Sequence, residues 1–347
     1  MSRFSQKLLW IVVAIGATSL LTSAQYKQTN LVSTSSASTA HQDANLINGW
    51  GLTSFPTSPF WVSDNVTGVS TLYDQTGTPV PLVVTIPPSA ASPASRGLPT
   101  GIVANATPKF VVSANGKSGS ALFLFASLDG AISGWNPNVN PTQAVIAIDN
   151  SASGAVYTGL AIAHTLAGSN FIYAADAAHN QIDIYNGSFK LVRSFHDPAT
   201  PKGLSVYGVH NINGQIFVTL ATPVPGQGGA IDVFTTNGQM VRRLTTNGPG
   251  GALEGPWGIV LAPNNFGPLR GALLVGNVDD GHISAFVPKT GRLISQMRDP
   301  NNKKISIPGL WGLKFGSGAP INGATNSLFF SAGPSNYTQG LFGVIKP

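Results

Sequence analysis

The 347 residues contain no cysteine, which excludes structural disulfides, thiol chemistry and lipid attachment through a cysteine. Glutamate is almost missing as well, with Glu254 the single example. Only 9% of residues are charged, so the chain lacks the Glu, Lys and Arg that favour exposed helices. The six histidines show no zinc-ligand spacing. Gly203-Leu204-Ser205-Val206-Tyr207 lacks the flanking glycine of a nucleophile elbow, and Gly226-Gln227-Gly228-Gly229 precedes no helix that would make it a phosphate cradle. Basic residues exceed acidic ones by only six. Arg242-Arg243 and Lys303-Lys304 are dipeptides, too short for a nucleic-acid patch, so no nucleic-acid partner is expected.

What is abundant is turn chemistry and apolar strand residues: 40 Gly, 25 Pro and 42% hydrophobic residues. A glycine opening an apolar stretch recurs at Gly51, Gly101, Gly159, Gly208, Gly258 and Gly312, at spacings of 50, 58, 49, 50 and 54 residues. A repeat of about 40 to 55 residues made of short strands and turns is the signature of a β-propeller with one blade per repeat. The fold class expected is therefore all-β, a six-bladed β-propeller of four-stranded blades. It forms one domain over 25–347.

The second strand of each repeat aligns by inspection as Phe60–Asp64, Phe123–Ser127, Ile172–Asp176, Ile216–Leu220, Leu273–Asn277 and Leu328–Ala332. Near-continuous apolar runs of this length suit strands covered on both faces. A third strand ends on Tyr73, Trp135, Tyr185, Phe234, Phe286 or Val344, and outer strands follow as Pro79–Ile86, Val145–Asp149, Lys190–Phe195, Met240–Leu244 and Leu293–Met297. The sixth repeat ends at Pro347 without an outer strand, while Gln28–Thr34 belongs to no blade. Pairing these two would complete the last blade and remove the free edge of an open ring.

Before that strand, Arg3 and Lys7, the mostly apolar Leu8–Leu21 and the small residues Thr22-Ser23-Ala24 read as a cleavable signal peptide over 1–24. The 14-residue run is shorter than the roughly 20 residues of a membrane span. A secreted or periplasmic monomer with no membrane span after signal removal is expected.

The repeat resembles the NHL-type six-bladed propeller, Ile172–Asp176 with Gln181–Tyr185 being the best match. With Trp50-Gly51-Leu52 and Val62-Ser63-Asp64-Asn65, the chain also looks like an uncharacterised family of secreted bacterial proteins. That resemblance covers residues 28–347 and implies the fold without an activity.

Loops after the second strands and loops entering each blade share one face of a propeller. Asp64, Asp176, Asn277, Asp279, Asp280 and His282 would reach that face from the first set, and His41, Asp43 and Glu254 from the second. Asp64, Asp176, Asn277, His41 and Asp43 are the ligand-binding candidates. The first three are also candidates for holding calcium or another divalent cation, which takes six to eight oxygens. Strand-end Asp and Asn equally accept bonds from their own loops, and this bracing role is expected of Asp64 and Asp176. The aromatic residues before four repeat glycines, Trp50, Tyr207, Trp257 and Trp311, are expected to wedge between blades. No catalytic residue is assigned. The function read here is non-enzymatic binding of a protein, polysaccharide or envelope component. The alternative is a metal-dependent hydrolase or lyase similar to gluconolactonase-like propellers; those use an early glutamate as a ligand, and none precedes Glu254.

Overall fold

In the computed structural model residues 25–35, 39–165 and 168–347 are described; the leader-like segment 1–24 lies outside them. Blade 1 runs outward through Gly49–Thr53, Phe60–Asp64, Val69–Tyr73 and Val84–Thr85, and blade 2 through Pro99–Ala104, Phe123–Ser127, Ala131–Trp135 and Val145–Asp149. Blade 3 uses Tyr157–His164, Asn170–Asp176, Gln181–Asn186 and Leu191–Phe195, and blade 4 uses Ser205–Ile212, Gln215–Ala221, Gly229–Thr235 and Met240–Asn247. Blade 5 comprises Pro256–Leu261, Leu273–Asn277, Ile283–Phe286 and Leu293–Gln296.

Blade 6 takes Leu310–Phe315, Leu328–Ala332 and Leu341–Lys346 from the end of the chain and its outer strand, Lys27–Ser33, from the beginning. The two ends pair antiparallel from Lys27 opposite Lys346 to Ser33 opposite Leu341, with one bulge between Asn30 and Val32. The closure expected from the unpaired strand is thus what the chain forms. Each inner strand packs beside the next, and that of blade 6 beside that of blade 1.

Apolar side chains from both faces of each sheet fill the six seams between blades. Between blades 1 and 2, Trp61 stacks on Phe123 at 4.0 Å and meets Trp135 at 4.9 Å. Between blades 6 and 1, Phe60 packs on Phe329 at 4.2 Å. Burial on both faces explains why the second strands carry unbroken apolar runs rather than alternation.

The repeat glycines have a steric cause. A Cβ added to Gly51, Gly208 or Gly258 would stand 2.4, 2.5 or 2.4 Å from the carbonyl oxygen of Thr100, Trp257 or Trp311 on the next blade, and one on Gly101 would stand 2.2 Å from the Leu160 amide nitrogen. The obstacle is backbone, which cannot swing aside. Gly258→Ala is therefore expected to cost about 1–3 kcal/mol, read as a lower urea midpoint; an unchanged midpoint would show that close approach is not why glycine stands there.

Two elements differ from the sequence reading. The outer strand of blade 1 shrinks from the expected Pro79–Ile86 to Val84–Thr85, because Pro79, Pro81, Pro87 and Pro88 offer no N–H to a ladder. The long second repeat holds an extra hairpin, Val111–Ala114 with Lys117–Ser120. It turns on Asn115 and Gly116 at φ of 52° and 74°, the left-handed pair that a tight hairpin needs.

Candidate functional site

Inner strands start at the face carrying the loops that enter each blade, since Gly49 pairs with Asp64, the last residue of the second strand. At that end the aromatic residues before the repeat glycines do not sit in the seams. Trp50 stacks on Trp311 at 3.7 Å, Trp257 meets both edge-on at 6.3 and 6.0 Å, and Tyr207 and Tyr337 each lie 5.8 Å from Trp311. These residues come from blades 1, 4, 5 and 6. The Trp257 indole N–H reaches the Thr158 carbonyl oxygen of blade 3 at 2.9 Å, so it projects past blade 4 into the channel. The expected wedges are instead a plug in the mouth of the central channel. The reason is position: a side chain preceding the glycine of closest approach has the axis as its free space.

Of the five ligand candidates Asp64 and Asp43 lie near each other, while Asp176 and Asn277 stand on blades 3 and 5. Asp64 is fully buried at the end of its strand and accepts the Thr71 amide at 3.0 Å. Burial, with the nearby Asp43 carboxylate adding to it, pushes its carboxyl well above the usual range despite that bond. Asp176 accepts the Val156 amide at 3.1 Å and pairs with His179 Nδ1 at 2.6 Å. Asn277 donates to the Ala252 carbonyl at 3.1 Å. Asp43 accepts the Asn45 amide at 2.9 Å and the Tyr73 hydroxyl at 2.9 Å. His41 lies in the two-residue strand His41–Gln42 beside the closing strand. Each of these bonds braces a loop or strand end within its own blade or against the closing strand. Among the described residues no group of three or more His, Asp or Glu is placed to hold a metal ion.

Four residues assigned from the sequence to the loop face do converge. Glu254, Asp279, Asp280 and His282, with Gln296 and Lys304, line a cavity of about 510 Å³ on blade 5. Glu254 is held by the amides of Gly228, at 3.0 Å, and Gly250. Asp279 accepts the Gly226 amide at 2.9 Å, and His282 Nδ1 stands 2.8 Å from Asp280. Burial raises the Asp279 carboxyl above its ordinary value, partly offset by the Gly226 amide; the charges of Glu254 and Asp280 raise it further. A cavity with crowded carboxylates stabilises a cationic or strongly hydrogen-bond-donating group that enters it.

Sequence reasoning passed over two buried carboxylates in third strands. Asp183 accepts the Tyr157 hydroxyl at 3.0 Å and Gln181 at 2.9 Å. Asp232 is clasped by Arg243, Nε at 2.7 Å and Nη2 at 3.2 Å, while the same guanidinium reaches Asp197. The recurring Ile-Asp-Ile and Ile-Asp-Val motifs, an acid between two core residues, were the available signal.

Two histidines respond to pH in opposite senses. His210 Nε2 lies 2.7 Å from the Trp257 carbonyl, and burial lowers its pKa from 6.5 to about 4. Its neutral form is the folded one, so its contribution to stability is complete above pH 6.5 and is lost as pH falls from 6.5 toward 4. His179 is raised by its hydrogen bond to Asp176 and by that residue's charge. Its contribution is complete below 6.5 and is lost as pH rises through its folded pKa, and it is small because the side chain is 42% exposed. In an NMR titration from pH 8 to 5, His179 should take up its proton first and His210 should remain neutral; a His210 midpoint near 6.5 would contradict its burial.

Fold and site together define a six-bladed propeller with a plugged channel mouth and an acidic cavity on its loop face. No protein-family model matches the chain. Two uncharacterised proteins of Acanthamoeba polyphaga mimivirus are similar to it: R648, 31% identical over 338 residues, and L690, 32% identical over 339 residues. The matches cover 92% of this chain in both cases, and 80% and 85% of those proteins. The chain belongs to the family of uncharacterised proteins that includes R648 and L690. The expected family is met in the propeller repeat but not in bacterial origin, since these relatives are viral. Among solved structures, virginiamycin B lyase from Staphylococcus aureus superposes with a TM-score of 0.52 at 12% identity, over 93% of this chain and 99% of the lyase. A luciferin-regenerating enzyme gives 0.53 at 12%, over 87% and 92%. Likeness at this identity is one of fold.

Proposed function

We propose that this protein is an exported, non-catalytic binding protein whose partner docks on the loop face and places a cationic group in the blade 5 cavity. The observation that carries the reading is Asp279, half-buried beside Glu254 and Asp280 and bonded to a backbone amide rather than to a basic side chain. A lysine or arginine side chain of a partner protein has the complementary charge. A polysaccharide is a poorer fit, because Trp50, Trp257 and Trp311, the rings a sugar would stack on, are buried in the plug. The metal-dependent hydrolase alternative has no comparable observation behind it, as Asp64, Asp176 and Asn277 brace three separate blades. Export rests on residues 1–24, and cleavage before Gln25 would leave the closing strand Lys27–Ser33 whole.

The test uses tetralysine as probe, titrated into mature protein whose N-terminus has been sequenced as Gln25. Asp279→Asn keeps an acceptor for the Gly226 amide and removes the charge, and should weaken binding about tenfold, or 1.4 kcal/mol. Equal affinities for the two proteins, or no binding to the wild type, would end this reading.

A further inference from the structure

The channel has a second end, built from different chemistry. Beyond the plug, the far ends of all six inner strands and the loops after them line a cavity of about 550 Å³, within the usual range of small-molecule sites. Its walls expose apolar and polar surface in about equal measure, with Ile162, Ile212, Val260 and Phe315 among the apolar residues, and they include one lysine, Lys314. His210, also in the wall, is neutral at pH 7 because its pKa is lowered to about 4.

The Lys314 side chain makes no hydrogen bond or ion pair among the described residues. Burial lowers its pKa, and no neighbouring charge contributes to the shift. Lys314 is half-buried, and a partly desolvated ammonium without a counter-ion is stabilised by an anion that pairs with it. The wall beside it is preformed. Asn322, fully buried, donates through Nδ2 to the carbonyls of Phe55 and Pro56 at 3.0 Å each, which ties the blade 6 loop to the blade 1 loop.

The surrounding face has the same sign. The connections at this end of the blades carry Lys109, Lys117, Lys190, Arg270, Lys289 and Arg292, and Asp74 is the one acid among their described residues. Glu254, Asp279 and Asp280 lie in connections at the opposite end. None of these basic residues lines the cavity, but their shared sign draws anions toward this face.

We propose that this end of the channel binds a small amphiphile with one anionic head and an apolar body, the head pairing with Lys314 and the body lying on the inner-strand ends. This site is separate from the blade 5 cavity and does not depend on it. A neutral amphiphile would leave the ammonium unpaired, and a cationic one would be repelled by it. Preference among head groups on one tail therefore reads the site directly.

The experiment is calorimetric titration of the full mature chain at pH 7 with decanoate, decanol and decylammonium. Decanoate should bind one to one and at least tenfold more tightly than decanol, and decylammonium should not bind. Lys314→Met should reduce decanoate to the affinity of decanol, Lys314→Arg should retain the preference, and Lys202→Met, in an exposed connection at the other end of the molecule, should change nothing. Absent decanoate binding, equal affinity for decanoate and decanol, or a decanoate preference that survives in Lys314→Met would overturn the proposal. The comparison of three probes on the wild-type chain needs no variant to fold.

Discussion

Deleting residues 25–35 should leave a chain that no longer melts cooperatively and that aggregates on expression. The deletion removes the outer strand of blade 6, which pairs from Lys27 to Ser33 with the last strand of the chain. Leu31 and Val32 leave the core. Tyr26 goes as well; it is buried, donates its hydroxyl to the Phe266 carbonyl at 3.0 Å and accepts the Leu269 amide at 3.0 Å. These bonds fasten the start of the chain to blade 5. What remains exposes the whole edge of Leu341–Lys346, a strand buried over five of its six residues, and an apolar free edge recruits other chains. Thermal unfolding followed by circular dichroism decides the matter. A purified deletion variant melting within about 2 °C of the full chain, a loss of only about 1 kcal/mol for a domain of this size, would mean that the ring closes without this strand.

Trp257→Ala should cost about 3–5 kcal/mol, the range for removing a large buried aromatic side chain. Trp257 is 4% exposed. It stands edge-on to Trp50, Trp311 and His210, at 6.3, 6.0 and 5.6 Å, and its bond to Thr158 joins blade 5 to blade 3 past blade 4. Replacement by Phe keeps much of the ring area and loses that bond, so it should cost less, about 1–2 kcal/mol. Chemical denaturation of the two variants separates packing from hydrogen bonding. A loss below about 1 kcal/mol for the alanine variant, less than even a surface aromatic pair contributes with its area, would show that the plug is not part of the core.

Sequence patterning carried the strand plan well because its cause is local. The run Phe60–Asp64 opens on three apolar residues and is buried throughout since both faces of a blade are covered, and the observed strand has the same bounds. The orphan strand near the start was legible for a related reason: the sixth repeat stops one strand short, and an unpaired edge must be filled. Blade 1 shows the limit of apolar content as a signal. Val80, Leu82 and Val83 suit a strand, but the prolines between and after them withhold the donors, and two residues of ladder survive.

For the candidate sites, the acids of blade 5 were assigned to the right face from loop position alone. Their gathering around one cavity depends on how the loop before Pro256 folds over the loop after Asn277, as in the bond from the Val278 amide to the Gly255 carbonyl. That is a contact between segments more than 20 residues apart in the chain, and no local pattern encodes it. Lys314 drew no attention in the sequence because an isolated lysine in a strand is ordinary; only its place among six converging strand ends leaves it without a partner.

The sequence by itself determined the number of blades, the strands within them, the strand that closes the ring and the glycines at its centre, because repeat spacing, apolar runs and missing side chains act over a few residues. The tertiary structure alone decided that the four aromatic residues meet at the channel mouth, that one end of the channel is plugged and the other open, and that the acids of blade 5 gather around one cavity while the Lys314 side chain is left without a partner among the described residues. Those outcomes depend on the radius of the closed ring and on which side chains its geometry turns toward the axis, and both exist only once the first strand has paired with the last.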